Sequence, residues 1–322
     1  MPHSLLLSCL ADGRFHSGEK LAQRLGVSRS AIWKQVQKLT ALGVAIHRVP
    51  GRGYRLAQTL ELLDADAIRA ALAPQWQDRL TLLTTFSVPS TNSHLTAVPD
   101  QQWPVACLAE HQSAGRGRRG RDWQSPLGGN LYLSLGWRFD NLPPDFAALG
   151  LAVGVVMAQA LKSLGVADVG LKWPNDIVAR QAKLGGILIE LAGEPAGPCR
   201  VVIGLGLNLR LPAAINTGQA AIDLATLLAE PPSRNAMAGL LLTHMCELLT
   251  QYPQKGFSHW QAAWRQYDVL SNNTVRIEAP AHAGGWLEGT ALGVAKDGAL
   301  RLATADGERR FYSGDVSVRK VG

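Results

Sequence analysis

The chain's entire excess of positive charge lies in its first sixty residues, so whatever folds there is a basic unit joined to a neutral body. Of 322 residues, 32 are Lys or Arg and 25 are Asp or Glu. Residues 1–60 hold nine of the bases (Arg14, Lys20, Arg24, Arg29, Lys34, Lys38, Arg48, Arg52, Arg55) against two acids, Asp12 and Glu19, a net +7. The remaining residues balance 23 bases with 23 acids. Such a partition confines contact with a polyanion to the small unit. The length and a 47% hydrophobic content suit two or three globular domains and exclude disorder.

Inside the basic unit, Ser17 precedes apolar residues at helical spacing through Leu25, and Gly26-Val27-Ser28 makes a tight turn. Ser28 or Arg29 opens a second helix to Leu42, with Ala31, Ile32, Val36 and Leu39 inward. Val44 to Arg55 alternates around Pro50-Gly51-Arg52-Gly53 as a hairpin with a basic tip. The spacing predicts a winged helix-turn-helix over residues 1–62. Surface lysines on helical hairpins usually bind nothing, but the charge partition, the Gly turn and the wing together favour DNA binding. Phosphate contacts fall to Lys34, Lys38, Arg48 and Arg52, and base readout to Ser28, Arg29, Ser30, Trp33 and Lys34.

Uninterrupted apolar runs, such as Ala147 to Ala158, fall short of the ~20 residues of a membrane helix, so no membrane partner is expected. Met1-Pro2-His3-Ser4 has no basic secretory flank, which makes the cytoplasm the expected compartment. Cys9, Cys107, Cys199 and Cys246 are scattered and read as buried thiols.

From about Asp64 the pattern becomes mixed α/β: a capped helix at 64–72, strands at 80–86, 130–135, 169–173, 187–191 and 200–208, and one long apolar helix at 146–164. Residues 115–120, Gly115-Arg116-Gly117-Arg118-Arg119-Gly120, place three arginines between three glycines. The letters fit G-x-G-x-x-G, yet Arg121-Asp122-Trp123-Gln124-Ser125-Pro126 opens no helix to receive a pyrophosphate, and no Gly-Lys-Ser/Thr makes a P-loop. A mobile, arginine-loaded anion loop is the better reading. Gly204 and Gly206 inside a strand imply close approach of backbone or ligand. Ser90-Thr91-Asn92, taken alone, is a helix cap.

Taken in order, Ser90-Thr91-Asn92, the stretch Gln112 to Trp123, Lys172-Trp173-Pro174-Asn175-Asp176, Lys183-Leu184-Gly185-Gly186 and Gly204 to Asn208 resemble biotin protein ligases. With a winged helix in front, the chain is similar to the bifunctional ligase/repressor form. The resemblance implies activation of biotin by ATP and Mg²⁺ to biotinyl-5′-adenylate, then transfer to a lysine of the biotin carboxyl carrier protein of acetyl-CoA carboxylase. It also implies repression of a biotin biosynthesis operon by an adenylate-bound homodimer.

The same resemblance assigns residues. Arg116, Gly117 and Arg118 would close over biotin and the adenylate phosphate, and Lys183 would reach the biotin carboxyl and the α-phosphate. Ser90, Thr91, Asn92, Gln112 and Gly204 would hold biotin. Arg119, Arg121, Trp123, Lys172, Asn175 and Asn208 would meet the nucleotide. Asp176 would serve the acceptor lysine or Mg²⁺. Residues 210–228 correspond to an adenylate-ordering loop, with Leu211, Pro212, Ile215 and Ile222 covering adenine. The ligase domain spans 63–270. Residues 271–322, with β segments at 274–277, 285–292, 299–302 and 316–319, resemble the family's SH3-like C-terminal barrel. Two other readings stand beside this one: a ligand-sensing transcription factor without turnover, and a lipoate ligase.

Overall fold

Three helices and a hairpin form the amino-terminal unit: α1 (Pro2–Leu10), α2 (Gly18–Leu25), α3 (Arg29–Ala41), β1 (Ile46–Val49) and β2 (Gly53–Leu56). The structure, a computed structural model, describes residues 2–99, 102–192, 198–212, 215, 217–278, 286–313 and 317–320. Ser17 caps α2 by accepting from the Lys20 amide, and Gly26, at φ 64°, ends it in the left-handed conformation that glycine adopts without a Cβ penalty. Ser28 caps α3 through the Ala31 amide. Leu6, Leu7 and Leu10 of α1 close a core with Leu21, Ile32, Val36, Leu39 and Leu56. α1 was not expected from the sequence, whose apolar residues there lie on more than one face.

The middle of the chain supplies α4 (Ala65–Ala71), α5 (Pro74–Gln77), β3 (Thr81–Val88), α6 (Thr91–Thr96), β4 (Val105–Gln112), β5 (Leu131–Phe139), α7 (Leu149–Ser163), β6 (Val169–Lys172), β7 (Asp176–Ala179), β8 (Ala182–Ala192), β9 (Cys199–Leu207), α8 (Leu224–Leu227), α9 (Arg234–Lys255) and α10 (Gln261–Tyr267). Seven strands form one sheet in the order β3-β4-β5-β9-β8-β7-β6. Only β3 and β4 pair in parallel; the other neighbours are antiparallel. α7 and α9 bury against one face, and α6 covers part of the other, against β4, β5 and β9. The window Phe146–Ser163 is long and apolar enough to cross a bilayer, a test that uninterrupted apolar runs had not met; 67% of it is buried as the core helix. All four cysteines are buried and free.

A second sheet, β13-β12-β11-β10-β14, contains β10 (Thr274–Glu278), β11 (Trp286–Val294), β12 (Leu300–Thr304), β13 (Gly307–Phe311) and β14 (Ser317–Lys320). This is the small antiparallel β domain expected, with β13 as an additional strand. Gly285 and Val316 of the expected segments lie outside the described residues. Trp173, 1% exposed, donates from Nε1 to the Gly298 carbonyl at 3.0 Å and so joins the two sheets.

Candidate active site

Hairpin β7–β8 sets Lys183 opposite Val178, two pairs along from Asp176, with a register shift between Ile177 and Val178. Lys183 Nζ reaches Asp176 Oδ1 at 2.7 Å, both side chains being 19% exposed, and lies 5.2 Å from the Trp123 ring centroid. Arg118 Nη1 is 3.4 Å from Asn175 Oδ1. Burial draws the Arg118 guanidinium below its ordinary value, Asp176 pulls it back up, and Arg121 and Arg119 add to the lowering. Lys183, Asp176, Arg118 and Asn175 all line one cavity of about 640 Å³.

Ser90, Thr91, Asn92 and Gln112 supply a polar floor to the same cavity. Gln112 Oε1 accepts from the Thr91 amide at 2.9 Å and from Thr91 Oγ1 at 3.1 Å. Ser134 Oγ lies 2.6 Å from Thr91 Oγ1 and 2.5 Å from Asn92 Oδ1. Asn92 Nδ2 donates to Glu190 Oε2 at 2.7 Å, and Arg116 Nη2 reaches the same oxygen at 2.8 Å. Ser90 makes no side-chain capping bond to α6, so the expected helix cap is replaced by a helix start whose side chains line the cavity. Ser134 and Glu190 escaped sequence reasoning because each is an ordinary residue of a β-strand until the register is known.

The arginine loop folds back on itself. Trp123 N bonds Gly115 O at 2.9 Å, Gly117 N bonds Arg121 O at 2.6 Å, and Arg116 bridges Asp122. Trp123 lies over the strand glycines: a Cβ on Gly206 would strike its indole, and a Cβ on Gly204 would strike Asn92 Oδ1. The close approach expected at these glycines is therefore made by the protein's own side chains.

Of the residues expected at the site, Ser90, Thr91, Asn92, Gln112, Arg116, Gly117, Arg118, Arg121, Trp123, Lys172, Asn175, Asp176, Lys183, Gly204 and Asn208 border this cavity. Arg119 does not. At φ 57° it turns away from the cavity and pairs with Glu278 of β10 at 3.6 Å, so the structure does not bring it together with the other residues expected at the phosphates. Asn208 spends its amide on the Lys183 and Ile222 carbonyls, both at 3.2 Å. These bonds brace the strand at Lys183. Leu211 and Ile215 border the cavity; Pro212 is exposed outside it and Ile222 packs on the core.

On the winged helix, Arg29, Ser30, Trp33, Lys34, Lys38, Arg48 and Arg52 are exposed. The Ser28 hydroxyl, also exposed, accepts from the Ala31 amide at 3.2 Å and lies 2.9 Å from Ser30 Oγ. Arg52 lies 4.3 Å over the Phe15 ring.

A helix-turn-helix head, a seven-stranded sheet bearing an arginine loop and a lysine over one cavity, and a small β domain together define a protein ligase of the biotin/lipoate type with a DNA-binding domain. Residues 85–208 match the biotin/lipoate A/B protein ligase family, residues 3–55 an HTH domain and residues 271–319 the biotin protein ligase C-terminal domain. The sequence is 37% identical to the bifunctional ligase/repressor BirA of Salmonella typhimurium, over 98% of this chain and 97% of that protein, and 36% identical to that of Escherichia coli K12 with the same coverage. The biotin protein ligase of Aquifex aeolicus, solved with biotin and ATP, superposes with a TM-score of 0.64 at 25% identity, covering 75% of this chain and 99% of that one. The chain belongs to the bifunctional biotin ligase/repressor family.

Proposed function

We propose that the protein is a biotin-[acetyl-CoA-carboxylase] ligase that also represses transcription with biotinyl-5′-adenylate as corepressor. The Lys183–Asp176 pair, facing a polar floor across one cavity, carries the reading. A biotin carboxylate oxygen attacks the α-phosphorus of ATP, forming the acyl–O–P bond as pyrophosphate leaves. Two anions must meet, so fixed positive charge from Lys183 and Arg118 lowers the barrier. Thr91 and Gln112 meet the ureido ring, which offers the donors and acceptors that a dithiolane lacks; the floor therefore favours biotin over lipoate. Trp123 stacks beside the nucleotide, and Leu211 and Ile215 cover it.

In the second step the carrier lysine attacks the acyl carbon and AMP leaves. An amine with an ordinary pKa near ~10.4 must first lose a proton, and Asp176 is the carboxylate placed to orient it and receive that proton. No group of three ligating side chains occurs among the described residues, which suits Mg²⁺, an ion held mainly by phosphates and water with one or two carboxylates. Asp176, beside Asn175, is the protein ligand in reach, and the ion would neutralise the departing phosphates.

The same reading makes the adenylate-bound protein a cytoplasmic homodimer on a two-fold operator, with domains at 1–62, 63–270 and 271–322. Incubation with biotin and labelled ATP tests it: biotin-dependent pyrophosphate release is expected, and its absence removes the enzymatic assignment.

A further inference from the structure

Glu190 joins the arginine loop to the floor. Its carboxylate oxygens are acceptors only, and Oε2 takes both Arg116 Nη2 at 2.8 Å and Asn92 Nδ2 at 2.7 Å. The Asn92 amide nitrogen donates to Glu190 and, at 3.4 Å, to the Leu188 carbonyl, and both bonds turn Oδ1 toward Ser134 Oγ, 2.5 Å away. Asn92 and Ser134 are 3% and 0% exposed, so water offers neither an alternative partner. Ser134 has one hydroxyl proton and gives it to Asn92. The Thr91 hydroxyl, 2.6 Å from Ser134 Oγ and 3.1 Å from Gln112 Oε1, then sends its own proton inward to one of those two oxygens. What Thr91 shows the cavity is a lone pair.

The chain continues past the floor. Gln112 Nε2 donates to Ser125 Oγ at 3.0 Å, and Ser125 Oγ donates to the Trp123 carbonyl at 3.1 Å. Arg116 lies in the arginine loop and Trp123 just after it, so both ends of this stretch are tied to one run of hydrogen bonds headed by Glu190.

We propose that Glu190 is a positioning and specificity residue: it fixes the hydrogen-bond polarity of the floor through Asn92 and Ser134, so that Thr91 accepts from a ligand N–H. This rests on the biotin reading and names what makes the floor select a cyclic urea. A neutral amide at position 190 can donate as well as accept, which leaves Asn92 held in this orientation only by its 3.4 Å bond to the Leu188 carbonyl and lets the Ser134 proton turn to Thr91, where it occupies a lone pair that a ligand N–H would use.

Full-length wild type, Glu190→Gln, Ser134→Ala and the double variant would be compared in pyrophosphate release with biotin and ATP varied separately. Each single variant is expected to raise the biotin KM about tenfold, the loss of roughly one well-made hydrogen bond. The ATP KM and kcat should stay within about twofold. The double variant should be no worse than the weaker single one, because both break the same relay. A wild-type biotin KM in Glu190→Gln, or effects that multiply in the double variant, overturns the proposal. If Glu190→Gln lacks a cooperative melting transition, Ser134→Ala decides alone, and an unchanged biotin KM there overturns it. A wild type with no biotin-dependent release overturns the underlying reading instead.

Discussion

Lys183 and Arg119 are both cations that the sequence assigned to phosphates, and the fold treats them oppositely. Lys183 enters the cavity on a braced strand, held by Asp176 at 2.7 Å and with Asn208 on its carbonyl. Arg119 leaves it for Glu278. Lys183→Ala should cut biotin adenylation by about two to three orders of magnitude, the usual loss of a fixed charge at a developing anion. Its pair is partly solvated, so the melting temperature should move by only about 3 °C. Arg119→Ala should leave adenylation within about twofold, read in the same pyrophosphate assay; a large loss would return Arg119 to the phosphates. Motif spelling placed both side chains on one loop or strand. Direction was not legible, because the left-handed turn at Arg119 and the partner at Glu278 are set by neighbours distant in sequence.

Elements with one-sided patterns were readable, and so was α7, whose continuous apolar run shows through although most of it is buried. The capped helix from Asp64, the hairpin wing and the strand carrying Gly204 and Gly206 stand near their expected places. α9 passed unnoticed although it is the longest helix described: thirteen of its 22 residues are buried and Pro253 interrupts it, so no single apolar stripe appears. Its start is fixed from outside. Glu61, in the segment that follows the wing, accepts from Ser233 Oγ at 2.6 Å, the Arg234 amide at 2.7 Å and Asn235 Nδ2 at 2.8 Å. Partial burial pushes the Glu61 carboxyl up, but these hydrogen bonds outweigh it and hold the pKa below its ordinary value. A depressed carboxylate stabilises the fold above its unfolded value and loses that contribution as pH falls through the folded value. Urea midpoints of the wild type should therefore drop as pH falls below about 4.5, and Glu61→Gln should be less stable at pH 7 with a flatter acid limb. Parallel acid limbs would show that Glu61 is not the group responsible.

At the scale of the whole molecule, the two activities meet through the charge partition, since only the +7 amino-terminal unit attracts DNA while the neutral body carries the ligase. The charge gives a number to test. Each phosphate neutralised contributes roughly −0.9 to the slope of log affinity against log salt. Lys34, Lys38 and Arg48 are exposed, whereas Arg52 is stacked on Phe15 at 4.3 Å, with Arg55 5.0 Å from the same ring. A cation held on an aromatic face is worth about 0.5–1 kcal/mol at an exposed site, comparable with one screened phosphate contact. If Arg52 keeps that position on DNA, three contacts per protomer give a slope of about −2.7, doubling in a dimer. Gel shifts with biotin and ATP over a salt series should then show Lys34→Ala, Lys38→Ala and Arg48→Ala each lowering the slope by about 0.9 per protomer, and Arg52→Ala leaving it unchanged. A lower slope for Arg52→Ala would mean that the wing arginine leaves Phe15 to bind phosphate, and that the hairpin tip takes a different position on DNA from the one it holds here.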